Sequence, residues 1–170
     1  MTVPERRAIA RNGLDVKQEL DRVAAQETEL ACEPVGADAA WRLGSLLREA
    51  ALERCAALAI EVRLGGKTVF FSSMAGATPA NADWVRRKRN TVELQARSSY
   101  AVGLALGIEG STLQDKMGLP LRDYASHGGS FPLRSRSGLL WGAVTVSGLP
   151  QREDHELVAA VLAKWLRELA

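Results

Sequence analysis

Hydrophobic and polar positions along this chain repeat with two different periods, and the switches between them divide it into helices and hairpins. The first helical stretch begins at Asp15, whose carboxylate is placed to cap it, with Gln18 completing a capping box. Its apolar stripe is thin (Leu20, Val23, Ala24) and suits an arm laid on the domain or on a neighbouring subunit. Glu29 to Cys32 reads as a short strand before the turn-like Pro34-Val-Gly36. Asp38 then caps a stronger helix with Ala40, Leu43, Gly44, Leu47 and Ala51 at helical spacing. Gly44 on that helix allows close approach to a sheet.

The period then changes to two. Leu58, Ile60, Val62 and Leu64 alternate with Ala59, Glu61 and Arg63, Gly65-Gly66 forms a tight turn, and the chain returns through Lys67 to Phe71. A loop of small residues, Ala75 to Ala82, leads into a helix from about Asp83. Trp84, Val85, Lys88, Val92 and Ala96 lie along one side of it, the Lys88 stem covering apolar surface. A second helical piece spans Ser98 to Leu106, and Gly107 to Pro120 is a loop with one short helical turn. Strands follow at Ser130 to Leu133 and Leu139 to Val146, with Arg134 to Gly138 as the turn between them. Ser147-Gly-Leu-Pro150 ends the second strand, since proline cannot continue a central ladder. The last helix, from Asp154 or a neighbour, carries Val158, Val161, Leu162, Trp165 and Leu169 as its apolar stripe.

Two hairpins separated by helices predict an α/β chain of the α+β kind, an antiparallel sheet with helices on its faces, not a doubly wound parallel sheet. The expected division is a basic arm at residues 1–13, with Arg6, Arg7 and Arg11 solvated, and one domain over 14–170.

Composition narrows the function classes. With 46% hydrophobic and 25% charged residues the chain is globular, and a net charge of +2 gives no general footprint for nucleic acid or an anionic membrane. No apolar run reaches bilayer length, and the amino terminus lacks the apolar core of a secretory signal. The expectation is a cytoplasmic protein with Cys32 and Cys55 reduced. Two cysteines and two histidines, scattered, argue against a closed zinc site.

The densest positive run, Arg86-Arg-Lys-Arg89, reads either as an anion contact or as a solvated helix face, since consecutive helical residues point in different directions. Ser126-His127-Gly128-Gly129 is the sharper motif. Its glycines permit a backbone too tight for other residues, and an imidazole there can ligate iron, bind an anion, transfer a proton, or simply hydrogen-bond the turn. Asp154 reads as a capping residue and His155 as a surface residue of the first turn. A Ser126/His127/Asp123 triad lacks a nucleophile elbow, no phosphate-binding loop is present, and Trp41, Trp84 and Trp165 are core candidates.

Four segments in fixed order carry a family resemblance: Trp84-Val-Arg-Arg-Lys88, Ser98-Ser-Tyr100, His127-Gly-Gly-Ser-Phe-Pro132, and Gly142 to His155 with its Ser-Gly-Leu-Pro-Gln core. Over about residues 25 to 170 the chain resembles the GlcG/HbpS-like haem-degrading-domain superfamily, in a branch of uncharacterised proteins. Trp84, Arg87, Lys88, His127, Gly128, Gly129, Pro132, Ser147, Gly148, Asp154 and His155 match the branch's pattern. The resemblance implies a profilin- or PAS-like arrangement around a sheet of about five strands, haem or iron as ligand, and a closed homo-oligomer. It implies no defined reaction. The ligand site it suggests is His127, Gly128 and Gly129, with Tyr124 as a reserve oxygen ligand and Arg87 or Lys88 meeting a carboxylate; His127 is the metal ligand if haem or iron binds. Two other readings stand beside it: a structural or adaptor protein acting through its oligomer, and an enzyme on a small organic acid with His127 as base.

Overall fold

The computed structural model describes the backbone of residues 3–170 and the side chains of residues 15–170, so the readings made for Arg6, Arg7 and Arg11 fall outside the described side chains. The elements, in order, are α1 (Val3–Glu29), α2 (Ala37–Glu53), β1 (Ala59–Leu64), β2 (Lys67–Ser73), α3 (Pro79–Gln95), α4 (Ser99–Glu109), α5 (Leu113–Met117), β3 (Ser130–Arg134), β4 (Leu140–Ser147) and α6 (Gln151–Leu169). The strands form one antiparallel sheet in the order β2-β1-β4-β3. No helix among the described residues is long and apolar enough to cross a membrane.

The α+β expectation holds, with four strands in place of about five. The missing one is Glu29 to Cys32: Glu29 ends α1, and Cys32 N–H makes a single bond to Arg134 O (2.9 Å) beside β3. Pro34, which has no N–H, follows too soon for a ladder to grow there.

Alternation sorts the sheet into two different faces. Ile60, Val62, Phe131, Val144 and Val146 meet Leu43 and Leu47 of α2 and Leu157, Val158, Val161, Leu162 and Trp165 of α6 in the main core. A Cβ on Gly44 would run into the Phe70 ring, so the approach between α2 and the sheet requires glycine there. The other face is polar and lies under α3 and α4. Glu61 accepts from Arg89 (2.9 Å) and from the Thr68 hydroxyl (2.7 Å), and the buried Ser130 and Thr145 hydroxyls share a bond of 2.7 Å. Val23 of α1 packs on Tyr100 and Ala101 of α4.

Several local expectations are corrected. α1 passes through Asp15 from Val3; a lone Gly13 costs a helix only about 1 kcal/mol and does not stop it. α2 is capped at Gly36, with Asp38 in its first turn, where a carboxylate suits the helix dipole. α3 begins at Pro79, four residues before Asp83, because Thr78 and Asn81 form a reciprocal capping box ahead of a helix-compatible proline. α6 begins at Gln151. Trp41 is 57% exposed, its ring edge-on to Phe70, and so is not a core residue. His155, expected at the surface, is buried between Tyr100 and Phe131.

Candidate functional site

The His-Gly-Gly turn lies beside the end of β4, because β3 and β4 run antiparallel and Ser130 pairs with Thr145. The two glycines have separate jobs. Gly129 has φ +122°, a conformation L side chains rarely adopt, and its carbonyl accepts from Val146 N–H (2.8 Å). Gly128 passes so close to the Gln151 carbonyl that any Cβ would collide with it. The turn therefore threads between β4 and the start of α6, and leaves His127 exposed at its tip.

His127 stands edge-on to the Trp84 ring, with centroids 4.9 Å apart, and the Arg87 guanidinium lies over that ring at 4.2 Å. Partial burial and the positive charges of Lys88 and Arg87 push the His127 imidazole below its ordinary pKa. Near neutral pH the ring is neutral, and one nitrogen carries a lone pair able to bind a metal or take a proton. Arg87 makes only a 3.9 Å approach to Asp83, and its buried Nε has no partner in the structure.

Lys88 is buried. Its ammonium donates to Asp154 Oδ2 (2.8 Å) and to Val146 O (3.2 Å), while Asp154 Oδ1 accepts from Leu149 N–H (3.0 Å). Burial lowers the Lys88 pKa and raises that of Asp154, and their mutual attraction opposes both shifts. The pair ties α3 to α6 and holds the turn after β4. Around it lies a cavity of about 230 Å³, lined by Asn81, Trp84 and Lys88 from α3, by His127, by Ser147 to Leu149, and by Gln151. A larger hollow of about 620 Å³ sits at the far end of α6, among Cys32 to Val35, Leu166 and Leu169, and contains none of the expected site residues.

The structure brings together His127, Gly128, Gly129, Arg87 and Lys88, and separates Tyr124 from them. Tyr124 packs against the cluster of Val102, Leu106 and Leu113. The basic run scatters: Arg86 pairs with Asp83 and Asp123, Arg87 stacks on Trp84, Lys88 pairs with Asp154, and Arg89 pairs with Glu61. Asp123 is held by Arg86 and Arg122, whose hydrogen bonds keep its carboxyl below the usual range, so it does not complete a triad with His127. Among the described residues no three His, Cys, Asp or Glu side chains are set to hold a metal ion. Asn81 and Gln151 were not singled out from sequence as site residues. Gln151 sat inside the Ser-Gly-Leu-Pro-Gln motif, whereas nothing marked Asn81 within its loop of small residues.

Residues 35–163 match the family described as haem degrading protein HbpS-like. A UPF0303 protein of Paraburkholderia phymatum is 53% identical over 153 residues, covering 90% of this chain and 93% of that protein. Among solved structures, Ybr137w protein superposes with a TM-score of 0.81 at 28% identity, covering 88% of each chain. A PduOC:Heme complex has the same fold, with a TM-score of 0.66 at 16% identity over 77% of this chain and 94% of that one.

Proposed function

The chain belongs to the HbpS-like haem degrading protein family, and from that premise we propose that it is a binding domain for haem or a related small ligand, centred on His127. The observation that carries this reading is the exposed imidazole of His127 fixed edge-on against Trp84, with Arg87 on the Trp84 ring. His127 would hold the iron of a bound haem through its ring nitrogen, and Arg87 would pair with a propionate. The adjoining cavity, at about 230 Å³, is smaller than the roughly 300–1,000 Å³ that enclose drug-sized ligands, so it could take only part of a porphyrin. Tyr124 is too committed to its apolar cluster to serve as the oxygen ligand. Bound haem would supply an iron centre; the chain's own contribution is to hold and orient the ring. The domain works in the cytoplasm, where Cys32 and Cys55 stay thiols. Haemin titration followed in the Soret region tests the reading: His127→Ala weakens binding at least tenfold, and an unchanged spectrum and affinity would remove His127 from the site.

A second reading concerns assembly, and one observation favours it. No strand among the described residues pairs with the outer edge of β2, and Phe71 of that strand is exposed. Open edges that carry exposed apolar side chains and few charges are templates for pairing. The chain forms a homo-oligomer through this edge, seated on a second copy of itself.

A further inference from the structure

The cavity beside His127 is rich in hydrogen-bond donors that its own residues leave free, beside the Ser147 hydroxyl and the His127 ring, which can each donate or accept. Asn81 Oδ1 already accepts from the backbone N–H (2.8 Å) and the hydroxyl (2.9 Å) of Thr78. That backbone donor fixes which way the amide points, so Nδ2 with its two hydrogens is the group left free. Gln151 repeats the pattern: its Oε1 accepts from Gly128 N–H (3.4 Å), which leaves Nε2 as donor. Lys88 has three N–H groups and spends two, on Asp154 and Val146 O. The carboxylate beneath the cavity, Asp154, is occupied by Lys88 and by Leu149 N–H, and no carboxylate lines the cavity. α6 starts at its edge with no side chain capping its first N–H groups. The field has the same sign, since the charges of Lys88 and Arg87 both act against protonation of His127.

We infer that this cavity is a carboxylate pocket, in which Asn81 Nδ2, Gln151 Nε2 and the remaining Lys88 N–H receive the acid group of the ligand. Three convergent N–H donors, with no carboxylate in the lining, favour an anion with several lone pairs. A space of about 230 Å³ admits a group of a few heavy atoms: a short organic acid, or the carboxylate arm of a larger ligand that rests on Trp84 and His127. The inference deepens the ligand-binding reading above by naming what the site grips, and it does not depend on iron.

The test uses the full chain, ¹⁵N-labelled, titrated with acetate and propionate against chloride at equal ionic strength. The pocket gives saturable shifts at the Trp84 indole and at the Gly128 and Gln151 amides that chloride does not reproduce. Asn81→Asp and Gln151→Glu keep the oxygens that hold Thr78 and Gly128 while replacing the donors with negative charge. Each weakens acetate binding at least tenfold, with circular dichroism unchanged. No saturable shift beyond that of chloride, or undiminished affinity in both variants, overturns the pocket. Haemin and haemin dimethyl ester separate the sources of the acid. Competition between acetate and haemin, with weaker binding of the ester, assigns the pocket to a propionate arm. Acetate binding without haemin binding keeps the pocket and removes the haem reading. Haemin and ester binding alike, with acetate inert, does the reverse.

Discussion

At the level of single residues, the site and its support are separable. Lys88 and Asp154 are both buried and hold each other, so Asp154→Asn leaves an ammonium without its partner. Breaking such a pair costs about 3 kcal/mol or more, read from the urea midpoint of unfolding. His155 carries a different consequence. Burial drops its pKa from 6.5 to about 4, while Glu156 and Glu19 raise it slightly and Arg22 lowers it; Nε2 meets Gln26 Oε1 at 3.1 Å. Between those two values the unfolded chain takes up a proton that the folded chain refuses. Stability from this group is therefore full above pH 6.5 and falls as pH drops toward 4, by about 3 kcal/mol in all. His155→Phe flattens that slope in a series of urea melts between those limits. An unchanged slope would show that other groups set it.

At the level of elements, what the sequence made legible was periodicity, and what it hid was the reach of side chains across the fold. The β1–β2 hairpin, the β3–β4 pair and the apolar face of α2 follow from alternation and helical spacing alone. The close approach of α2 to the sheet at Gly44 was legible because a buried helical position without a Cβ lets the backbones come near; that the Phe70 ring fills the space was not. Gly44→Ala forces α2 off Phe70, a loss of about 1–3 kcal/mol that Phe70→Leu in the same chain partly relieves, as a double-mutant cycle of thermal melts would measure. The start of α3 was not legible, since the Thr78–Asn81 box depends on a side-chain geometry that small-residue composition does not announce. In the site, the His-Gly-Gly turn was readable from backbone sterics. The contact of Trp84 with His127, and the ion pair that takes Lys88, join residues tens of positions apart and leave no trace in local spacing. His155 was misplaced for the same reason: α1 and α4 cover the side of α6 that its local pattern left open.

At the level of the whole molecule, a single sheet with a dry core on one face and a polar layer on the other places the candidate site at the end of β4, between the starts of α3 and α6. The β2 edge lies on the opposite border of the sheet from β3, so assembly through it leaves the His127 turn accessible. Light scattering at micromolar concentration is expected to show a defined oligomer, and Phe71→Lys, at a half-exposed position, to shift it to smaller species without changing circular dichroism. A strictly monomeric wild-type protein would rule that assembly out.

The chain has only two histidines, His127 and His155, one exposed and one buried. A sample labelled with ¹⁵N at histidine alone therefore reports both candidate nitrogen ligands in one spectrum. On adding one equivalent of haemin, the ring resonances of His127 should broaden beyond detection while those of His155 remain. Persistence of the His127 signals with haemin bound, or loss of the His155 signals in their place, would contradict the account.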